Sequence, residues 1–212
     1  MEQKYLYVVL SRTPYKIGKL IRIFTREEYN HASIALSLDG GMYSFARRHC
    51  CKALYAGFVK ESVARYHLND EPAQIKVFRL SVTPEQHQSI ANILERMYEH
   101  RYQYLYNHLS AISAMWKKLT PAKNALICVE FCIHILHRIG YDVDPDRYYS
   151  VCDLGKLLDG NCIYTGPMPA PTEEDPDYFE LRPVKPMSNL RSFLILLKRR
   201  KEFKNEEMAS PM

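Results

Sequence analysis

Apolar positions change period along this chain, and each change marks an element. Tyr5–Leu10 is a β-prone run that ends at Ser11-Arg12 and predicts a first strand. Thr13-Pro14 supplies a cap and a proline at the first helical position, and Ile17, Leu20, Ile21 and Phe24 recur behind it at helical spacing. A short helix ending near Thr25 follows from that. His31–Leu38 and Met42–Arg47 flank Asp39-Gly40-Gly41 and predict a hairpin. Cys50–His67 has no clear period and reads as loop with room for a helix. Gln74–Leu80 alternates through Ile75, Val77, Phe78 and Leu80 and predicts a strand.

The period then turns helical. Thr83-Pro84-Glu85-Gln86 is a capping box, with Thr at the cap and Gln at the third helical position; Ile90, Ile93, Leu94 and Met97 carry that helix to about His100. Leu105–Leu119 reads as another helix. Phe131–Ile139 reads as a third, stopped by Gly140. Ser150-Val151-Cys152-Asp153 opens a short helix through Leu158, and Asn161–Tyr164 looks extended. The proline-rich stretch 166–176 is a loop, and Asp177–Val184 is the candidate for a last strand. From Ser188 to Phe203 an apolar stretch runs into Lys198-Arg199-Arg200-Lys201. Strands come early, helices in the middle, and strands return late, which predicts an α+β fold. The expected organisation is one domain over 1–187, followed by a basic helix and tail over 188–212.

Composition narrows the class without changing that picture. The chain has 212 residues, 47% hydrophobic and 25% charged, an ordinary globular balance. Its 29 Lys and Arg against 24 Asp and Glu give +5 (29 − 24 = 5). That excess is mild and dispersed, and no phosphate loop or RNA-binding motif accompanies it, so nucleic acid is not the expected partner. Apolar runs such as Ala125–Val129 and Phe193–Leu197 stop far short of the roughly 20 residues that a membrane-spanning helix needs. The first residues hold no secretory pattern, which predicts a cytoplasmic protein with reduced thiols.

Candidate chemistry concentrates in two segments. His31 opens the strand after Tyr29-Asn30, where an imidazole at a strand end can face a cleft; the commoner role for such a histidine is one backbone hydrogen bond. The second segment is Leu126-Ile127-Cys128-Val129-Glu130-Phe131-Cys132. On a helical wheel Phe131, Cys132, Ile135 and Ile139 fall within about 60° of Cys128, whereas Glu130, His134, His137 and Arg138 form the opposite, polar stripe. Cys128 thus heads the inward face. A thiol at the first turn of a helix gains from the dipole and the unpaired N–H groups, and needs a base from elsewhere; His31 is the leading candidate.

The same wheel separates Cys128 and Cys132 from His134 and His137, so they do not close a metal site. Cys50-Cys51 would face opposite sides of a strand. Two helix starts compete for Cys128: Thr120-Pro121 would leave it mid-helix and inert, whereas Lys123-Asn124 interrupts the pattern and permits a later start.

The segments "NHASIAL…MYSFAR" and "LICVEFC" resemble the circularly permuted NlpC-like cysteine hydrolases of the papain-like superfamily, the branch with YiiX-like and lecithin:retinol acyltransferase-like members. The resemblance covers about residues 4–165. It implies a permuted papain-like fold, an antiparallel sheet packed against helices with the nucleophile at a helix N-terminus. His31 takes the family's base position and Cys128 that of the nucleophile. The third, polar position falls near Met42–Phe45, with Ser44 preferred and Tyr43 the alternate. A serine there can accept a hydrogen bond from the ring but adds no charge to stabilise an imidazolium.

The implied activity is hydrolysis or acyl transfer at an amide, ester or thioester through a thioester intermediate, with no cofactor or metal. The implied partners are peptide, amide or acyl-lipid substrates. The alternative is a catalytically inactive binding or scaffold protein of the same fold. The C-terminal segment pairs Leu190, Phe193, Leu194 and Leu197 with Arg191, Lys198, Arg199, Arg200 and Lys201. That suits a packed terminal helix with a solvated basic end, the commoner case, or an amphipathic helix lying peripherally on an anionic membrane.

Overall fold

A computed structural model of the protein describes residues 3–13, 28–68, 71–180 and 187–209. The first β-prone run becomes strand β1 (Lys4–Arg12). The predicted hairpin is β2 (His31–Ala35) and β3 (Met42–Arg47), joined through Ile34↔Tyr43. β4 (Ala56–Glu61) follows, then the small pair β5 (His67–Leu68) and β6 (Glu71–Pro72), then β7 (Gln74–Val82). Helix α1 (Pro84–Glu99) has the capping box expected of it: Thr83 Oγ1 accepts from Gln86 N at 3.2 Å, and Gln86 Oε1 accepts from Thr83 N at 2.9 Å.

Beyond it come β8 (Leu105–Tyr106), α2 (His108–Ser113), β9 (Ala125–Leu126), α3 (Cys128–Arg138), α4 (Val151–Leu157), β10 (Cys162–Pro167), α5 (Pro176–Phe179) and α6 (Met187–Ala209).

Eight strands form one sheet in the order β10-β7-β1-β2-β3-β4-β8-β9. Its pairs are antiparallel except β8 with β9. The fold is therefore α+β with a mostly antiparallel sheet, as expected. The longest seam runs from Lys4↔Val82 to Arg12↔Gln74.

Register assigns side chains to faces, because alternate residues of a strand point to opposite sides. One face carries Leu6, Val8 and Leu10, Ala32 and Ile34, Phe45, Phe58, Phe78 and Leu80. It packs under Ile90 and Leu94 of α1, Phe131, Cys132 and Ile135 of α3, and Leu154 of α4. Phe45, Phe58 and Phe131 form an aromatic knot with centroids 5.5 to 5.7 Å apart. The other face carries Val9, Ala35, Met42, Ile75 and Val77 under Tyr66 and Met168. Both faces are covered, which is why every residue of β2 is buried.

Three expectations are corrected and one open alternative is resolved. Cys50–His67 is a turn, then strand β4, then a single 3-10 turn over Val63–Tyr66. Gly57 hides that strand in the sequence and is needed in it, since a Cβ there would stand 2.2 Å from the Tyr104 carbonyl oxygen. Leu105–Leu119 is not one helix: Leu105 pairs in parallel with Ala125, and Asn107 then caps α2 by accepting from Ser110 N at 3.1 Å. The competition over Cys128 is settled by Asn124, whose φ of +52° no helix holds, so α3 starts at Cys128. The segment expected as a last strand begins instead with α5; its residues 181–184, like the helix expected over 14–25, lie outside the described residues.

Gly140 stops α3 as expected, at φ +93°. The C-terminal segment is helical, and its one fully buried described side chain, Leu196, packs on Leu105, Ala122 and Ala125. Leu194 and Leu197 remain exposed. Among the described residues no helix is long and apolar enough to cross a membrane.

Candidate active site

His31 and Cys128 reach one cleft from opposite elements. His31 opens β2, the fourth strand of the sheet, and Cys128 is the first residue of α3. Both are buried, at 8% and 6% exposure, and both line a cavity of about 330 Å³. The other walls are mainly apolar, from Phe45, Ala53, Leu54, Ala56 and Ala111, with Tyr106, His108 and Tyr178 contributing rings.

The third partner differs from expectation. Glu61, the last residue of β4, places Oε1 2.9 Å from His31 Nε2. Ser44 does not hold the ring, and neither does Tyr43, which stacks on Phe58 over the other face. The register explains this. Ile34↔Tyr43 and Met42↔Glu61 put His31, Ser33, Ser44 and Glu61 on one side of three neighbouring strands. Ser44 lies beneath the pair. Its buried Oγ makes no hydrogen bond of standard geometry, yet it stands close enough to Glu61 to help hold that carboxyl ionised. No sequence signal for Glu61 was visible while β4 read as loop. The usable clue is a carboxylate closing a short apolar strand.

Charge is arranged to keep the pair ionised. Burial alone would strip His31 of its proton. The Glu61 carboxylate opposes that, and hydrogen bonding and charge from Cys128 add to it, raising the His31 pKa to about 10. Burial pushes Glu61 the other way, but the imidazolium, Ser44 and Arg65 together draw its carboxyl below the usual range. Nε2 is committed to Glu61, which leaves Nδ1 for the Cys128 sulfur. The Tyr66 phenol stays neutral, through burial first and the Glu61 charge second, and packs beside the His31 ring with centroids 6.4 Å apart. Its hydroxyl meets Ser33 Oγ at 3.2 Å.

The start of α3 is fixed from behind the sulfur. Ile127 occupies the cap position and has no side-chain acceptor, so only half a capping box forms: Glu130 Oε2 accepts the Ile127 N–H at 2.6 Å. Ser110 donates to Glu130 Oε1 at 3.1 Å. Glu130 was expected on the exposed stripe of the helix and is buried instead, with its pKa raised to about 7 chiefly by burial. The first-turn amides of α3, that of Cys128 among them, have no acceptor within the helix. Tyr106 lines the same cleft, and its phenol is kept neutral by burial and by the nearby Cys128. His108 lines it too; burial lowers its pKa, and its Nε2 has no hydrogen-bond partner.

The remaining thiols divide. Cys132 is fully buried in the core, and burial holds its thiol protonated. His134 and His137 are exposed on the far side of α3, so the four residues stay apart as expected. Cys50 and Cys51 do not straddle a strand: they sit in a turn with sulfurs 3.3 Å apart.

Comparison of the chain with protein-family models, with curated proteins and with solved structures finds no match.

Proposed function

We propose that this protein is a cysteine hydrolase of the permuted papain-like type, with Cys128 as nucleophile, His31 as base and Glu61 as the group that orients and charges the ring. The observation that carries the reading is one imidazole, held by a buried carboxylate, that lines the same apolar cavity as the thiol opening α3. The chain order, histidine first, then acid, then cysteine, agrees with the permuted arrangement. Glu61 removes the weakness of a serine in third place, since a carboxylate stabilises the imidazolium directly.

The chemistry follows from the positions. His31 already carries its proton, so Cys128 acts as the thiolate of a thiolate–imidazolium pair, and the sulfur attacks the carbonyl carbon of an amide, ester or thioester. A C–S bond forms and the carbonyl oxygen becomes an oxyanion. The Cys128 N–H at the start of α3 and the Tyr106 hydroxyl are the donors available to it. His31 returns the proton to the leaving nitrogen, oxygen or sulfur as its bond to carbon breaks. Water then attacks the thioester, giving a proton to His31 and releasing the acid and the free thiol. An acceptor hydroxyl or amine in place of water makes the same site a transferase. The cavity walls suit an apolar acyl or side-chain group, with His108 offering one hydrogen bond.

The test is an electrophilic acyl probe, with the modified residue mapped by mass spectrometry. Cys128 is expected to react well ahead of the other five cysteines near neutral pH. His31→Ala should slow that reaction, and Cys128→Ala should abolish turnover while the chain stays folded. Slow, even labelling of all six thiols would instead favour a binding protein that keeps the fold without the chemistry.

A further inference from the structure

A second cluster of reactive side chains lies on the turn after β3. His49 Nδ1, Cys50 Sγ and Cys51 Sγ lie within 4.8 Å of one another. The two sulfurs are 3.3 Å apart, and Cys50 Sγ is 4.0 Å from His49 Nδ1. We propose that His49, Cys50 and Cys51 bind a thiophilic closed-shell cation of the zinc class.

Two features support this. The ring is locked in the needed tautomer: His49 Nε2–H donates to the Glu180 carbonyl oxygen, which turns the Nδ1 lone pair toward the sulfurs. Metal-binding histidines are held in this way, by their second nitrogen on a carbonyl or carboxylate. The distances are near those required. Zinc bonds of about 2.3 Å to sulfur and about 2.0 Å to nitrogen put tetrahedral neighbours roughly 3.6 to 3.8 Å apart. The separations of 3.3 and 4.0 Å need shifts of about half an ångström, and the third, Cys51 Sγ to His49 Nδ1, lies within 4.8 Å and needs at most about 1 Å.

Binding costs one weak contact, the 3.2 Å bond from Cys51 N–H to His49 Nδ1. Two protons leave as the thiols become thiolates. Cys51 is exposed, so the fourth position opens to solvent.

The location gives the site a consequence. Cys50 N donates to the Tyr178 carbonyl oxygen at 3.0 Å, and Arg47 Nη1 donates to the Cys50 carbonyl oxygen at 2.9 Å. Arg47, Leu54 and Tyr178 all line the cavity that holds Cys128. A cation on His49, Cys50 and Cys51 stiffens the turn that carries one wall of that cavity and its docking against the 175–180 segment.

The test uses Co²⁺ as a coloured substitute, in full-length Cys128→Ala protein so that the candidate nucleophile does not contribute. One Co²⁺ per chain with a thiolate charge-transfer band, bleached by Zn²⁺, is expected. Cys50→Ser/Cys51→Ser should remove the band, and His49→Gln should weaken binding at least tenfold. Cys152→Ser/Cys162→Ser should leave both unchanged. No band at equimolar metal, or a band that survives the Cys50→Ser/Cys51→Ser change, overturns the assignment. None of these readouts depends on Cys128 chemistry.

Discussion

Replacing Glu61 with glutamine keeps the shape of the His31 partner and removes its charge, and the consequence can be worked out from linkage. In the folded protein His31 holds its proton up to about pH 10. In the unfolded chain a histidine titrates near its ordinary value of about 6.5. The folded pKa is the raised one, so the pair's contribution is complete below about pH 6.5 and is lost as pH climbs toward 10. A shift of this size corresponds to about 5 kcal/mol in total. Between pH 7 and 9 the native state holds nearly one proton more than the unfolded state, so the wild-type chain should lose about 2 to 3 kcal/mol of stability.

In Glu61→Gln the opposing influence, burial, takes over and His31 becomes neutral. That part of the loss should vanish. Urea unfolding of both proteins at pH 7 and 9 measures it, and subtracting one from the other cancels the tyrosines and other thiols that titrate in both. The difference between their losses should come to about 2 to 3 kcal/mol. Equal losses in the two proteins would refute the claim that Glu61 holds the imidazolium. Equal losses, with no fall in Cys128 alkylation at pH 7 in the variant, would remove Glu61 from the site altogether.

Glu130 titrates with the same sign in a lower pH window. Its folded pKa, about 7, lies above the ordinary carboxyl value, so the folded state keeps a proton that the unfolded chain has lost, and stability falls as pH rises from about 4.5 to 7. Glu130→Gln removes that titration and keeps an oxygen for the Ile127 N–H. Its stability relative to wild type should therefore improve by roughly 3 kcal/mol between pH 4.5 and 8, read from unfolding midpoints. Phe131→Ala empties the centre of the aromatic knot, where Phe131 is 1% exposed, and should cost about 3 to 5 kcal/mol by chemical denaturation. A cost under about 1 kcal/mol would mean that α3 is not seated on Phe45 and Phe58 as described.

That Cys128 and His31 should be considered together was legible because both residues announce themselves locally, and the structure puts both on one cavity. One heads a 3.6-residue stripe and the other opens a strand after a polar turn. The competing helix start was undecidable from pattern alone, since it turned on the conformation of Asn124, which either a capped or a continuous reading allows. Glu61 was hidden for a different reason. Nothing in Ala-Gly-Phe-Val-Lys-Glu distinguishes a buried carboxylate from a solvated one; its role appears only when β4 lies two strands from β2 with its odd-numbered residues on the histidine's side. Leu105–Leu119 held only in part, because a two-residue parallel pairing with β9 takes Leu105 and Tyr106 and leaves the helix to start at His108. Glu130 failed because the wheel assumes a polar stripe faces water, whereas the first turn of α3 needs an internal acceptor.

A buried ion pair is a poor investment in stability, since desolvating both charges usually cancels their attraction. The His31–Glu61 pair stands on an otherwise small-residue and hydroxyl-bearing stretch of the sheet, among Ser33, Ser44 and Tyr66, where apolar side chains would pack as well. Stability alone gives no reason for a carboxylate there. The proposed chemistry gives one: it calls for a fixed Nε2 partner that leaves Nδ1 for the sulfur, and for a charge that keeps the ring protonated despite burial. Helices cover the opposite face and anchor the sulfur through Phe131, while the polar face anchors the ring through Glu61. The two halves of the site thus rest on separate cores on either side of one sheet. The end of β2, where His31 stands, is where they come within reach of each other.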